Sequence, residues 1–278
     1  MAMSADRPHF DAPIEEPGTP APARHSATVI VARDSSDGIE VFMLERTLKS
    51  DFAGGAYVFP GGRLDRADLD PGFAEIMDGW SPERVAELGE EVEDTARGII
   101  VCAIRETFEE AGILLARGRD GTPVRLGTDA QRWLDIRRAL QAGDHDALAG
   151  AREAGIRFDA SMLRFWVRLV TPVQSPKRYD TRFFVAAMPE GQTPLHDDVE
   201  TTASAWIKPA EAVERALAGE FSIIFPTRKT LESIAGFATT EELLAAAKDR
   251  PTEPILPRIV LRDGEPRVIL PDGSAHVP

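Results

Sequence analysis

The chain has 278 residues, 43% of them hydrophobic, enough for one large domain with added elements or two small ones. Its formal charge of −14 gives an acidic surface that repels phosphate backbones and anionic lipid, so neither nucleic acid nor a membrane is expected as a partner. The single cysteine, Cys102, excludes an intramolecular disulfide and any multi-cysteine zinc site; its apolar neighbours predict a buried structural thiol.

Residues 1–24 are rich in proline, alanine and acids and read as a flexible lead-in. They lack the continuous apolar run of a signal peptide, and no later stretch reaches the length of a membrane span, so a cytoplasmic location is expected. "SATVIVAR" (26–33) and "IEVFMLER" (39–46) predict two strands joined by the turn "DSSDG". "GGAYVFPGGRLD" (54–65) predicts a glycine-rich tight loop, and 69–104 is acidic and mostly helical in pattern. A helix is predicted from about Thr95 to Ala111, capped by Gly112, followed by "ILLA" as a short strand.

Residues 129–153 predict one or two helices. "LRFWVRLVTP" (163–172) and "TRFFVAAM" (181–188) predict strands. "PAEAVERALAGE", "FPTRKTLESIAGF" and "TEELLAAAKD" predict helices, and 257–273 a hairpin around Asp263-Gly264. The interspersed strands and helices imply a mixed sheet covered by helices.

The chemistry concentrates in "AIRETFEEAGI" (103–113). At about 100° per residue, Glu110 lies about 40° to one side of Glu106 and Glu109 about 60° to the other. The three carboxylates fan over one face, while Val101, Ile104, Phe108 and Ala111 fall on the opposite side. Like charges at i,i+4 destabilise a helix, and acids near its C-terminus oppose the macrodipole. A solvated charged face is the usual explanation of such a stretch. A divalent cation bound among the carboxylates is the other, and it removes the conflict.

Arg105 directly before Glu106, Gly112 after the acids and "FPGG" (59–62) upstream extend the pattern. Together, "GG…RETFEEAGI" resembles the Nudix box, G-x5-E-x7-R-E-U-x-E-E-x-G-U, with U a bulky apolar residue. Gly62 would open it, and Arg105, Glu106, Glu109, Glu110, Gly112 and Ile113 would close it. Asp68 stands where the first glutamate is expected, 36 residues (69–104) replace the usual seven, and Thr107 occupies the first U position. The long gap reads as a helical insertion, and insertions in loops cost little closure entropy. A branch similar to mammalian peroxisomal coenzyme A diphosphatases carries such an insertion and also resembles this chain at "TPVQSPKRYDTRFF" (171–184).

The resemblance implies an α/β (α+β) fold: a Nudix-like α/β/α sandwich with a mixed central sheet. One domain would span 25–278, with insertions at about 69–97 and 128–160. It further implies a diphosphatase acting on a nucleotide derivative with Mg²⁺ (or Mn²⁺). Coenzyme A or acyl-CoA is the first expectation; a dinucleotide or nucleotide sugar is next. Glu106, Glu109 and Glu110 would hold metal, and Arg105 would orient a glutamate by a charge-assisted hydrogen bond.

A further acid is expected from the loop 190–200, which offers Glu190, Asp197, Asp198 and Glu200, with Glu200 the preferred choice. Gly61 and Gly62 would line the cleft. Arg46 fits the outline of a coenzyme A signature, together with Leu44, Gly55 and Phe59, although Asp51 stands where arginine is expected. Arg178, Tyr179 and Arg182 are candidates to meet phosphate or base, against the alternative of edge-strand charges and a packed tyrosine. His196 is either a proton carrier or a surface histidine. A homodimer is an open option.

The alternative function is a non-catalytic Nudix-like nucleotide-binding or sensor module. No G-x-S-x-G, P-loop or H-E-x-x-H is present, and the five histidines show no metal-ligand spacing.

Overall fold

The computed structural model describes residues 11–13, 18–48, 54–143, 146–194 and 201–277. Five strands form the main run of a seven-stranded sheet: β2 (Arg24–Ser35), β3 (Gly38–Arg46), β9 (Arg164–Val170), β10 (Tyr179–Ala187) and β11 (Thr201–Ile207). Their order is β11-β3-β2-β10-β9. The β2–β10 pair is parallel and the other pairs are antiparallel, as expected of a mixed sheet.

Alternation along the strands sends apolar side chains to both faces. Ala27, Val29, Val31, Phe42, Leu44, Phe184 and Ala186 pack against the long helix α2 (Glu93–Ala111). Ile30, Val41, Met43 and Val185 pack instead with Ala212, Leu231, Ile234 and Leu243. Those last four lie in α5 (Pro209–Leu217), α6 (Phe225–Ile234) and α7 (Thr240–Ala246). The result is an α/β/α sandwich.

β2 and β3 pair only over Ala32–Ser35 and Gly38–Val41, then splay. Two short strands fill the fork. β4 (Tyr57–Val58) pairs with β3 at Leu44 and Glu45, and β5 (Gly61–Arg63) pairs with β2 at Ser26–Thr28. The FPGG turn therefore runs through the fork, next to the end of α2.

The segment between β5 and α2 contains less regular helix than its composition suggests. It holds short 3-10 turns at Arg66–Leu69 and Pro71–Glu75, the strand β6 (Met77–Asp78) and a one-turn helix α1 (Glu83–Glu87). Gly72, Gly79 and Gly89 interrupt any helical run. β7 (Ala116–Gly118) begins after the apolar residues 113–115, where the strand was expected.

Helices α3 (Ala130–Gln141) and α4 (Ala147–Ala154) lead to β8 (Ile156–Asp159), which pairs with β6 and β7. β12 (Arg258–Arg262) and β13 (Glu265–Ile269) form the expected hairpin. Asp263 (φ 56°) and Gly264 (φ 82°) both adopt the left-handed conformation that a two-residue turn demands. Residues 11–13, within the expected flexible lead-in, form a strand, β1, paired with β12. β14 (Ala275–His276) completes that small sheet. Among the described residues no helix is long and apolar enough to cross a membrane.

Candidate active site

Gly112 ends α2 in the left-handed conformation (φ 64°), and its N–H returns to the carbonyls of Phe108 and Thr107. Val101, Ile104, Phe108 and Ala111 are buried beneath the helix. Thr107 is also fully buried at the first apolar box position; its hydroxyl is satisfied by the Ala103 carbonyl at 2.7 Å. A polar side chain is tolerated there because its hydrogen bond closes within the helix.

The three glutamates diverge from the common outward fan of the helical wheel. Glu110 is buried, and its Oε2 accepts from the Gly61 N–H at 2.8 Å. Glu106 and Glu109 are half-buried and both accept from one nitrogen, Arg105 Nη1, at 2.8 and 3.2 Å. The other side of the Arg105 fork meets Asp68, Nε to Oδ1 at 2.8 Å and Nη2 to Oδ2 at 2.9 Å. Asp68 is itself buried and accepts from the Asp65 N–H at 2.9 Å. The residue at the first-glutamate position thus fixes the arginine that holds two of the helix carboxylates.

Gly62 leaves the room these side chains need. A Cβ there would sit 2.4 Å from the Glu106 carboxylate, and one on Gly61 would sit 2.3 Å from the Ala27 carbonyl oxygen. Cys102 is buried under the same turn, its Sγ 3.6 Å from the Gly62 carbonyl. Burial, with Asp68 and Glu106 nearby, pushes its thiol pKa well up, as befits a packed rather than reactive group.

Three carboxylates (Asp68, Glu106 and Glu109) pair with the single guanidinium of Arg105. Burial raises Glu106 to about 7, with Arg105 pulling it down and Glu109 pushing it up. Glu109 is raised for the same first reason, burial, against Arg105. Burial alone would lower Arg105, but Asp68 and Glu106 outweigh it and hold the guanidinium above its ordinary value. The cluster carries more negative charge than its own cation offsets. Carboxylates that keep some access to solvent, as Glu106 and Glu109 do, suit a hard cation that keeps waters and shares its shell with substrate phosphate.

Among the described residues, the group that brings three donor atoms within 4.8 Å of one another is not the α2 carboxylates but His25, Glu90 and Asp180. That group is already neutralised. Arg182, fully buried, forms ion pairs with Glu90 and, at 3.0 Å, with Asp180 Oδ2, and donates to His25 Nδ1 at 3.0 Å. Arg168 grips Asp180 bidentately at 2.8 and 2.7 Å. Both arginines also hold residues 88 and 89 by their backbone: Arg182 Nε donates to the Leu88 carbonyl and Arg168 Nη1 to that of Gly89. Two guanidiniums balance two carboxylates there.

The expected substrate-contacting residues are not all brought to the cleft. Gly61 and Gly62 lie against the carboxylates. Arg182 lies one strand from Ala27, but its side chain is consumed beneath residues 88–90. Arg178 donates to the carbonyls of Thr171 and Ala21, and the Tyr179 N–H donates to Thr171 Oγ1; both side chains are half-buried. Arg46 ends β3, its backbone bonded to Ala56 and Gly55 at the rim of the fork. Glu190 is exposed and pairs with Arg125. Glu200, Asp197, Asp198, His196 and Asp51 lie outside the described residues.

Sequence reading missed the His25–Glu90–Asp180 group with its arginines. One signal was available: Arg182 shares a strand face with Phe184 and Ala186, and a charge on a core-facing stripe demands a buried partner.

Comparison with known proteins places this geometry in a family. A family model described as the NUDT19 Nudix domain matches residues 83–231. The chain is 28% identical over 268 residues to a chicken (Gallus gallus) protein named acyl-coenzyme A diphosphatase NUDT19, covering 84% of this chain and 70% of that one. It is also 28% identical over 244 residues to the Homo sapiens protein of the same name, covering 75% of this chain and 64% of the relative. The crystal structure of a Nudix hydrolase from Alicyclobacillus acidocaldarius superposes with a TM-score of 0.68 at 29% identity, covering 84% of this chain and 99% of that one. With the family model matching more than half of its length, the chain belongs to the NUDT19 group of Nudix hydrolases.

Proposed function

We propose that this protein is a divalent-metal-dependent diphosphatase that hydrolyses the diphosphate linkage of coenzyme A or an acyl-CoA. The observation that carries the reading is the concentration of negative charge on Arg105: three carboxylates, of Asp68, Glu106 and Glu109, pair with one guanidinium, with Glu106 and Glu109 still reachable from solvent. The names of the chicken and human relatives supply the substrate class. We read residues 25–278 as one Nudix domain in which about 69–97 and 128–160 are insertions.

Glu106, Glu109 and Glu110 would hold Mg²⁺ or Mn²⁺, with Glu200 as a further ligand. A bound cation supplies neutralisation of the diphosphate and a water of lowered pKa. The chain's own residues set the geometry. Arg105, locked by Asp68, fixes the Glu106 and Glu109 carboxylates; the Gly61 N–H fixes one oxygen of Glu110; and Gly62 lets the turn approach without a side chain. In-line attack of water on phosphorus requires this kind of positioning more than covalent chemistry from the protein.

The test incubates the protein with Mg²⁺ and a panel of coenzyme A, an acyl-CoA, ADP-ribose, NADH and diadenosine polyphosphates. Cleavage of the coenzyme A compounds, lost in a folded Glu109→Gln/Glu110→Gln variant, is the expected result. Undiminished turnover in that variant would refute the site. No cleavage of any member would favour the binding-module reading instead.

A further inference from the structure

The last turn of α2 carries acids and no basic residue of its own. The macrodipole places partial negative charge at that end, so Glu109 and Glu110 sit where a helix tolerates carboxylates least. The last carbonyls of any helix also lack intrahelical donors and must find them elsewhere. Thr107 and Phe108 recover theirs locally, from the Ile113 and Gly112 N–H groups of the cap. The carbonyls of Glu109 and Glu110 are served by a different element.

That element is α3. Arg137 is buried, and its fork spans two successive carbonyls: Nε donates to that of Glu109 and Nη2 to that of Glu110, both at 2.8 Å. Gln141, one turn further along the same helix face, adds a second donor to the Glu109 carbonyl at 2.6 Å. Apolar contacts seat α3 for this task. Trp133 meets Phe108 edge to face at 6.2 Å, and Ile136 and Leu140 pack against the same core. A buried guanidinium is costly unless it is hydrogen-bonded, and this one is bonded to the backbone of two residues whose carboxylates belong to the candidate site.

Each of these glutamates is therefore held at both ends. Glu109 has its carbonyl on Arg137 and Gln141 and its carboxylate on Arg105; Glu110 has its carbonyl on Arg137 and its carboxylate on the Gly61 N–H. We infer that Arg137, assisted by Gln141, is a positioning residue for the metal-binding carboxylates, fixing the backbone from which Glu109 and Glu110 project. The inference rests on the diphosphatase reading above. Its sign separates it from a pure charge effect. On charge alone, removing a cation near a divalent-ion site tightens the ion. Loss of positioning weakens it, and supporting groups behind metal ligands are typically worth about 10–100-fold in affinity or activity.

The experiment titrates Mn²⁺ into the full chain and follows the free ion by electron paramagnetic resonance, so it needs no turnover. Arg137→Met should weaken Mn²⁺ binding by about 10-fold or more. In coenzyme A hydrolysis it should lower kcat and raise the Mg²⁺ needed for half-maximal rate, with little change in the KM for coenzyme A at saturating Mg²⁺. Arg137→Lys keeps the charge at the helix end without the planar fork, so it should recover thermal stability but not Mn²⁺ affinity. Gln141→Leu leaves Arg137 Nε on the Glu109 carbonyl and should weaken Mn²⁺ by a smaller factor, which keeps the test decisive if Arg137→Met folds poorly. Unchanged or tighter Mn²⁺ binding in the variants that fold would overturn the inference and leave Arg137 as a helix cap alone, as would full recovery of affinity by Arg137→Lys. Those results, with a wild type that takes up Mn²⁺ and cleaves coenzyme A, fail this inference only. A wild type that does neither fails the diphosphatase reading and the inference with it.

Discussion

Two charged clusters lie on the α2 face of the central sheet. At the end of α2, Asp68, Glu106 and Glu109 share one guanidinium, with Glu110 bonded to the Gly61 N–H beside them. Beneath residues 88–90, Glu90 and Asp180 share two, Arg168 and Arg182. The second cluster is complete in itself, and its arginines bind backbone carbonyls with what remains of their donors. The first is left open, with its charge unbalanced and part of it exposed. A closed cluster suits anchorage and an open one suits a cationic ligand, although both are built from arginine and carboxylate.

Opening the closed cluster should give the largest effect. Arg182→Met removes a fully buried cation and strands Glu90, so a loss of about 3–5 kcal/mol in denaturant unfolding is expected. Adding Glu90→Leu to it should recover a good part of that loss, because both charges then leave together. If the single variant unfolds like the wild type, the anchoring role is wrong.

At the open cluster, Gly62→Ala should act on activity instead. The new Cβ meets the Glu106 carboxylate, so kcat should fall roughly 100-fold while unfolding shifts little. Comparable losses in both measurements would erase the distinction. Asp68→Asn should have a smaller effect, about 1–3 kcal/mol of stability, since Arg105 keeps Glu106 and Glu109 but loses its charged bidentate partner. Its thermal unfolding relative to wild type measures this.

The two clusters should also respond to pH with opposite sign. Burial first, countered by Arg105, holds Glu106 near 7, above its unfolded value of 4.5. Its contribution to stability is therefore full below about 4.5 and lost as pH rises through about 7. Mg²⁺ should reverse that trend, giving a larger rise in Tm at about pH 8 than at about pH 5. His25 is lowered, by burial and then by Arg182, so its contribution is present above about 6.5 and lost as pH falls through its folded pKa. Being half-exposed, it should add only a shallow acid-side decline that disappears in His25→Asn. A metal-free stability profile with no alkaline-side loss would contradict the open cluster.

How much of this was legible in the sequence follows from distance along the chain. The end of α2, its Gly112 cap and the Asp263-Gly264 turn rest on neighbours within a few residues, and periodicity and turn chemistry expose them. The box residues 105–112 are equally local. The Arg182–Glu90 pair spans 92 positions, and Arg105 reaches Asp68 across 37, so neither could be inferred from spacing. The wheel puts Glu110 on a shared outward face with Glu106, whereas the structure buries it. Its burial against Gly61 depends on β5 entering the fork, 49 residues earlier.

The parallel pairing of β2 with β10 has a consequence for how the molecule is made. Arg24 registers with Tyr179, and the Ser26–Thr181 bond spans 155 positions, so the strand pair at the middle of the sheet closes only after the whole of α2 has been synthesised. Closing so long a loop is entropically slow, and until it happens β2 offers an unpaired edge to other nascent chains. Refolding should therefore be strongly concentration-sensitive, with aggregation rather than a stable half-domain as the competing outcome.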